Sequence, residues 1–185
     1  VRYSAVTGER ESELFVEVNE RYVEPQEPVL FLPENPEQFI WQSQRDGYNH
    51  LYLYNTDGKM LRQLTTGRWV VKEVLGFDNR GNNLFFMTTA PRDVRYTDEG
   101  SPLETYVWKL NIKNGKRNCL NLKKGVHQVR LSASATYLLD QTSSPVIPRD
   151  IDIIGVRDCR QVKSLLSAKD PFEDYRMPDI KVGTL

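Results

Sequence analysis

Cysteine and histidine are scarce in this chain, two of each in 185 residues, and their scarcity removes whole classes of chemistry. Cys119 and Cys159 are too few for a disulfide framework, and no pair drawn from them and from His50 and His127 has the close spacing that zinc ligation needs. Neither a metal nor a cofactor is expected. Placed in adjacent repeats the two cysteines could be near or far apart, and they read as small apolar side chains with a disulfide as the alternative. Charge of one sign is lacking as well: 25 Lys and Arg face 25 Asp and Glu, so no net field draws the chain to nucleic acid or to an anionic membrane. No apolar run approaches the roughly 18 residues of a membrane-spanning helix. There is no phosphate-binding glycine loop, and no nucleophile elbow of the form G-x-S-x-G, which Gly100-Ser101-Pro102 does not complete. The chain starts at Val1 without a charged, then apolar, then small-residue leader, and reads as part of a longer protein.

What is present is a repeat. Phe39-Ile40-Trp41 leads to His50-Leu51-Tyr52-Leu53-Tyr54, an Asp57-Gly58 turn and Leu61-Arg62-Gln63-Leu64. Leu84-Phe85-Phe86 leads in the same way to Tyr106-Val107-Trp108-Lys109-Leu110, an Asn114-Gly115 turn and Cys119-Leu120-Asn121-Leu122. A weaker copy holds Tyr137-Leu138-Leu139, residues 151–156 and residues 162–166. The first strands are spaced by 45 and then 53 residues, close to the roughly 40 to 45 residues of a four-stranded propeller blade. The polar stretch from Pro91 to Pro102 accounts for the longer interval as an inter-strand loop. Asp-Gly and Asn-Gly between β-branched and aromatic runs predict two-residue hairpin turns. One more short strand precedes each copy, at 29–32, 70–77 and 126–131, which makes four strands per unit.

The expected fold is therefore all-β, about three four-stranded antiparallel blades of a partial β-propeller with a short helical exit. A leftover strand of a preceding blade occupies 1–20, where Leu14, Val16 and Val18 alternate. Blades occupy 21–67, 68–124 and 125–168, and the exit segment 169–185 leads towards a further domain, with Asp170 as N-cap and Pro171 opening a helical turn. Closed propellers take about four to eight blades, so the open ends predict self-association or poor order of the first 20 residues. Trp41, Leu51, Leu53, Phe85, Trp108, Leu110 and Leu138 are the expected inter-blade core.

The run Arg45-Asp46-Gly47-Tyr48-Asn49-His50-Leu51-Tyr52-Leu53-Tyr54, with Leu61-Arg62-Gln63-Leu64-Thr65-Thr66-Gly67-Arg68-Trp69 after it, closely resembles the propeller domain of the dipeptidyl peptidase IV family of serine peptidases. Ser101-Pro102-Leu103-Glu104 before Tyr106, and Tyr175-Arg176-Met177-Pro178, resemble the same family in the same order, so the likeness runs over most of 20–182. The resemblance implies a parent enzyme that removes short peptides from N-termini after Pro or Ala. A Ser-Asp-His triad on a following α/β-hydrolase domain would perform the chemistry. It implies peptide substrates, the hydrolase domain and the remaining blades as partners; the open blade ends add a second copy, and the balanced charge and short apolar runs leave no nucleic acid and no membrane span expected. It also leans towards a bacterial protein of the periplasm or cell surface.

No catalytic residue is expected in the chain itself, and His50 and His127 are expected to be structural. The family holds the substrate's amino group with paired glutamates on a helical segment in an earlier blade. Glu9, Glu11 and Glu13 alternate at strand spacing and read instead as a solvated face. One loop, 21–28, is implied by the resemblance to lean into the substrate cavity, through Tyr22, Val23 and Glu24. Some relatives place an arginine there, where this chain has Val23 and Glu24. A stand-alone propeller that binds proteins in the cell envelope is the alternative function.

Overall fold

A computed structural model describes residues 1–24, 27–89, 104–121 and 123–178. Among these residues there is no helix. The strands run in chain order as β1 (Arg2–Tyr3), β2 (Arg10–Ser12), β3 (Leu30–Leu32), β4 (Asn35–Ser43), β5 (His50–Asn55), β6 (Met60–Gln63) and β7 (Val71–Phe77). They continue as β8 (Asn83–Thr88), β9 (Tyr106–Asn111), β10 (Arg117–Cys119), β11 (Val126–Leu131), β12 (Tyr137–Ser144), β13 (Ile147–Gly155) and β14 (Arg160–Ser167). Three four-stranded antiparallel sheets form in consecutive order, β3 to β6, β7 to β10 and β11 to β14, beside a two-stranded ribbon β1–β2. This all-β arrangement of four-stranded meanders is the blade architecture of a propeller. The chain divides into two compact units, Val1–Val70 and Val71–Leu185.

In the second unit, two sheets share one core. Phe85, Met87, Val107 and Leu120 meet Val129, Leu138, Ile154 and Val156. Strand β11 alternates strictly, with His127 and Val129 buried and Gln128 and Arg130 exposed, as one buried face requires. The central strands β5 and β8 are buried on both parities, which their unbroken apolar runs anticipate. Leu51, Leu53, Phe85, Leu110 and Leu138 are all buried. Trp41 and Trp108 are only half-buried, and each indole N–H has an acceptor. Trp41 Nε1 donates to Glu17 at 2.9 Å and Trp108 Nε1 to the Thr88 hydroxyl at 2.9 Å.

Several expectations need correction. The hairpin loops are longer than two residues. Asn55 N–H donates to the Lys59 carbonyl at 3.0 Å, leaving the three-residue loop 56–58 with Gly58 at φ 83°. Asn111 N–H donates to Lys116 at 2.9 Å around the four-residue loop 112–115, with Gly115 at φ 74°. The exit segment forms turns and no helix: the Asp170 carboxylate does accept the Phe172 N–H at 2.8 Å, but the next bonds close only short turns, such as Tyr175 N–H to the Phe172 carbonyl at 2.8 Å. A cap is not enough in a segment this short, which Pro178 ends within two turns. The stretch 90–103, with the expected loop insertion, and residues 179–185 of the exit segment lie outside the described residues.

The leftover strand is also corrected. Only Arg10–Ser12 pairs, with Arg2–Tyr3, and residues 13–19 lie as a strap without strand pairing. Of the three alternating residues only Leu14 packs inward, beside Phe15, on Phe39, Tyr52 and Tyr54, while Val16 and Val18 are 65% and 82% exposed. The strap passes so close to the β5–β6 loop that a Cβ on Gly58 would stand 1.9 Å from the Leu14 carbonyl oxygen. Gly58→Ala is therefore expected to cost about 2 kcal/mol or more and to expose residues 13–18 to limited proteolysis. Gly115→Ala, whose Cβ meets nothing within 4 Å, should lose only the left-handed preference, about 1 kcal/mol. Equal losses in urea unfolding would show that the strap does not dock at Gly58.

Candidate functional site

The strap leads into the loop expected to touch substrate. Phe15 stacks 4.5 Å from the Tyr54 ring and meets Trp41 edge-on at 5.5 Å. Glu17 accepts from Trp41 and from the Ser43 hydroxyl, and pairs with Arg45 at 3.3 Å. The Arg45 guanidinium lies 4.5 Å above the Tyr52 ring and donates to the Tyr54 hydroxyl at 2.5 Å. Burial would lower the Arg45 pKa, but the Tyr54 contact and the Glu17 charge outweigh it and hold the pKa above its ordinary value. The Tyr52 hydroxyl is pushed up by burial and then by Asp46. Beyond this anchor the Asn19 side chain accepts the Arg21 N–H at 2.9 Å, and the loop begins. Tyr22 and Val23 are 70% and 37% exposed, Glu24 is exposed, and Pro25 and Gln26 lie outside the described residues.

Both histidines are committed internally. His50 is fully buried, with Nε2 donating to the Gly67 carbonyl at 2.9 Å and Nδ1 3.1 Å from the Thr65 hydroxyl. With the proton on Nε2, Nδ1 accepts from the Thr65 hydroxyl, whose oxygen in turn accepts the Leu51 N–H, and both ring nitrogens are used. Trp69 packs edge-on against this ring at 4.8 Å. In the second unit His127 Nδ1 lies 2.9 Å from both Asp140 oxygens, and Nε2 lies 3.1 Å from the Lys123 carbonyl. A His-Asp pair is the second half of a hydrolytic triad, but a base must present a free lone pair to its nucleophile. Here Nε2 donates to a backbone carbonyl in a ring with no exposure.

Lys123 closes this polar cluster. Its ammonium reaches Asp150 at 2.6 Å and Asp152 at 2.7 Å. Asp150 is held below the usual carboxylate range by that hydrogen bond, and Lys123 is raised because its two carboxylates outweigh burial. A cleft of about 580 Å³ opens nearby, lined by Lys72, Glu73, Met87, Gln128, Arg130 and Leu139 among others. It holds mixed charge and no nucleophile. No group of side chains suited to a metal occurs among the described residues, and no helix there is long and apolar enough to cross a membrane.

The profile of the dipeptidyl peptidase IV (DPP IV) N-terminal region matches residues 1–149. The chain belongs to that family. As a DPP IV N-terminal region it is similar to a putative dipeptidyl aminopeptidase IV from Bacteroides ovatus, with TM-score 0.83 and 36% identity over 99% of this chain and 27% of that one. It is similar also to dipeptidyl peptidase 4 of Porphyromonas gingivalis, with TM-score 0.67 and 25% identity over 82% of this chain and 20% of that one. A curated relative, dipeptidyl peptidase 4 of Arthroderma otae, is 22% identical over 148 residues, 78% of this chain. The chain spans 18% of that relative's length.

In this DPP IV N-terminal region, the residues that carry the sequence resemblance have structural tasks. Arg45 and Asp46 tie Tyr52, Tyr54 and Gln63 together, Gly47 takes φ 93° in the turn, and His50 anchors Thr65 and Gly67. The acidic residues near the N-terminus are solvated pairs: Glu11 with Arg2 at 2.9 Å and Glu13 with Arg10 at 2.8 Å, all at least 44% exposed. Sequence reasoning missed Glu17 and Lys123. Their partners are 24 to 29 residues away, beyond any local pattern. The signal that could have pointed to Glu17 was the aromatic Phe15 on its own parity.

Proposed function

We propose that the chain is a non-catalytic propeller portion of a DPP IV-type serine exopeptidase that releases short peptides from N-termini after Pro or Ala. In this reading the blades screen access to the cavity, and Tyr22, Val23 and Glu24 line it. The observation that carries the reading is family membership over residues 1–149 in a chain whose two histidines spend both ring nitrogens internally. Acyl transfer then belongs to an α/β-hydrolase domain, which with the remaining blades and a second copy is the expected partner. Periplasm or cell surface is the location that suits an enzyme acting on external peptides. The strap supports the loop's role, because the Phe15 and Glu17 anchor sets where an exposed Tyr22 begins.

Two measurements test this. The 185-residue chain alone should hydrolyse neither X-Pro nor X-Ala chromogenic dipeptides. Turnover that survives Ser101→Ala and is blocked by serine-directed inhibitors would overturn the non-catalytic assignment. In the full-length parent, Tyr22→Ala and Glu24→Gln should raise KM about 5- to 10-fold at nearly constant kcat, the signature of lost uniform binding. Unchanged KM in both variants would remove the loop from the cavity.

A further inference from the structure

The left-handed corner of the outer hairpin is filled differently in the three sheets. In the first two it is Gly58 and Gly115, at φ 83° and 74°. The third hairpin repeats the geometry of the second: Cys159 N–H donates to Gly155 across four residues at 2.9 Å, as Gly115 N–H does to Asn111 at 2.8 Å. Yet the corner residue is Cys159, at φ 54°. Glycine adopts this conformation without a steric penalty, whereas a cysteine must be held there by its surroundings.

The side chain's position gives that strain a use. Cys159 Sγ lies 3.8 Å from the backbone carbonyl oxygen of Cys119, two bonds from the Cα that carries the second thiol. Cys119 ends β10 and Cys159 turns β13 into β14, so they sit on the two sheets that share the core of Phe85, Leu138 and Ile154. Cys159 itself packs against that core. Both cysteines are half-buried and neither is in a disulfide. Burial first, and the Cys119 sulfur next, raise the Cys159 pKa, which slows its reaction without blocking it.

We infer that Cys119 and Cys159 are a redox pair whose disulfide staples the second sheet to the third. The oxidant is a small-molecule disulfide such as oxidised glutathione. One thiolate attacks it, forming a mixed disulfide and releasing one glutathione thiolate. The second cysteine thiolate then displaces the other glutathione, so the Sγ–Sγ bond forms as two protons and two electrons leave the protein and one glutathione disulfide becomes two thiols. Forming the bond requires the Cys119 thiol to leave the Asn121 side-chain oxygen, to which it now donates at 3.6 Å. The link closes a loop across a sequence separation of 40 residues. The inference stands on this geometry and does not rest on the proposed peptidase function.

The test equilibrates the purified 185-residue chain in glutathione redox buffers, quenches free thiols with maleimide, and maps the product by mass spectrometry. Expected are a monomeric species with no titratable thiol, a Cys119–Cys159 linked peptide, and a Tm raised on the order of 10 °C over the reduced chain. Cys119→Ser and Cys159→Ser should each leave one reactive thiol and abolish the shift. Cys159→Gly should fold at least as stably as the reduced protein, since glycine suits the corner, while losing the oxidative gain. Two free thiols persisting in fully oxidising buffer, or links only between molecules, would overturn the pair. So would a Cys159→Gly variant that keeps the oxidative gain.

Discussion

Lys123→Met is expected to lower the unfolding free energy by about 3 kcal/mol, because it strands two carboxylates that the fold has removed from water. Asp150 and Asp152 are 13% and 4% exposed, and one ammonium serves both. Without it, two like charges face each other at close range. Methionine keeps most of the stem's packing, so the loss reports the charge. Removing both carboxylates as well, in Lys123→Met/Asp150→Asn/Asp152→Asn, should recover a large part of the deficit, since an apolar and amide replacement carries no unpaired charge. No recovery would show that Lys123 acts through packing alone. Arg10→Met provides the contrast: its partner Glu13 is 50% exposed, and such a pair contributes at most about 0.5 kcal/mol. The acid limb follows in sign. Asp150 is held below its unfolded value by Lys123, so the unfolded state binds this proton first as pH falls. The contribution is full above about pH 4 and lost below it. In the Lys123→Met chain that part of the acid-induced loss should shrink.

Phe85→Ala should cost about 3 to 5 kcal/mol in urea unfolding. Its ring has no exposure and lies in the core that the second and third sheets build together, so the cavity cannot collapse without moving a sheet. Phe31→Ala should lose much less, since that ring is 53% exposed. Comparable losses for the two would mean that the shared core is not where the second unit's stability resides.

Much of the fold was legible because a blade is a local object. Its strands follow one another in sequence, pair with their neighbours and announce themselves by apolar runs cut by Asp-Gly and Asn-Gly, so Leu51, Phe85 and Leu110 could be assigned to the core from the repeat alone. The turn details were less legible, because Gly58 and Gly115 both take positive φ but close loops of three and four residues, and the choice depends on the register of the strands around them. The strap was misread for a related reason. Leu14, Val16 and Val18 carry the stronger alternation, yet beyond Leu14 it is Phe15 and Glu17 that turn inward, because Trp41 and Tyr54 offer an aromatic surface and Trp41, Ser43 and Arg45 offer three donors there.

By itself the sequence determined the blade repeat, the all-β class, the family likeness and the lack of a nucleophile elbow, since each is written in residues close to one another or in composition. Tertiary structure alone decided that Phe15 and Glu17 of the strap turn inward, that His127 gives its Nε2 proton to a carbonyl, that one lysine holds two aspartates, and that Cys159 rests against Cys119. These contacts join residues 4 to 40 positions apart, and most link different strands or sheets. A one-dimensional pattern carries the period of a strand but not the identity of what folds back against it.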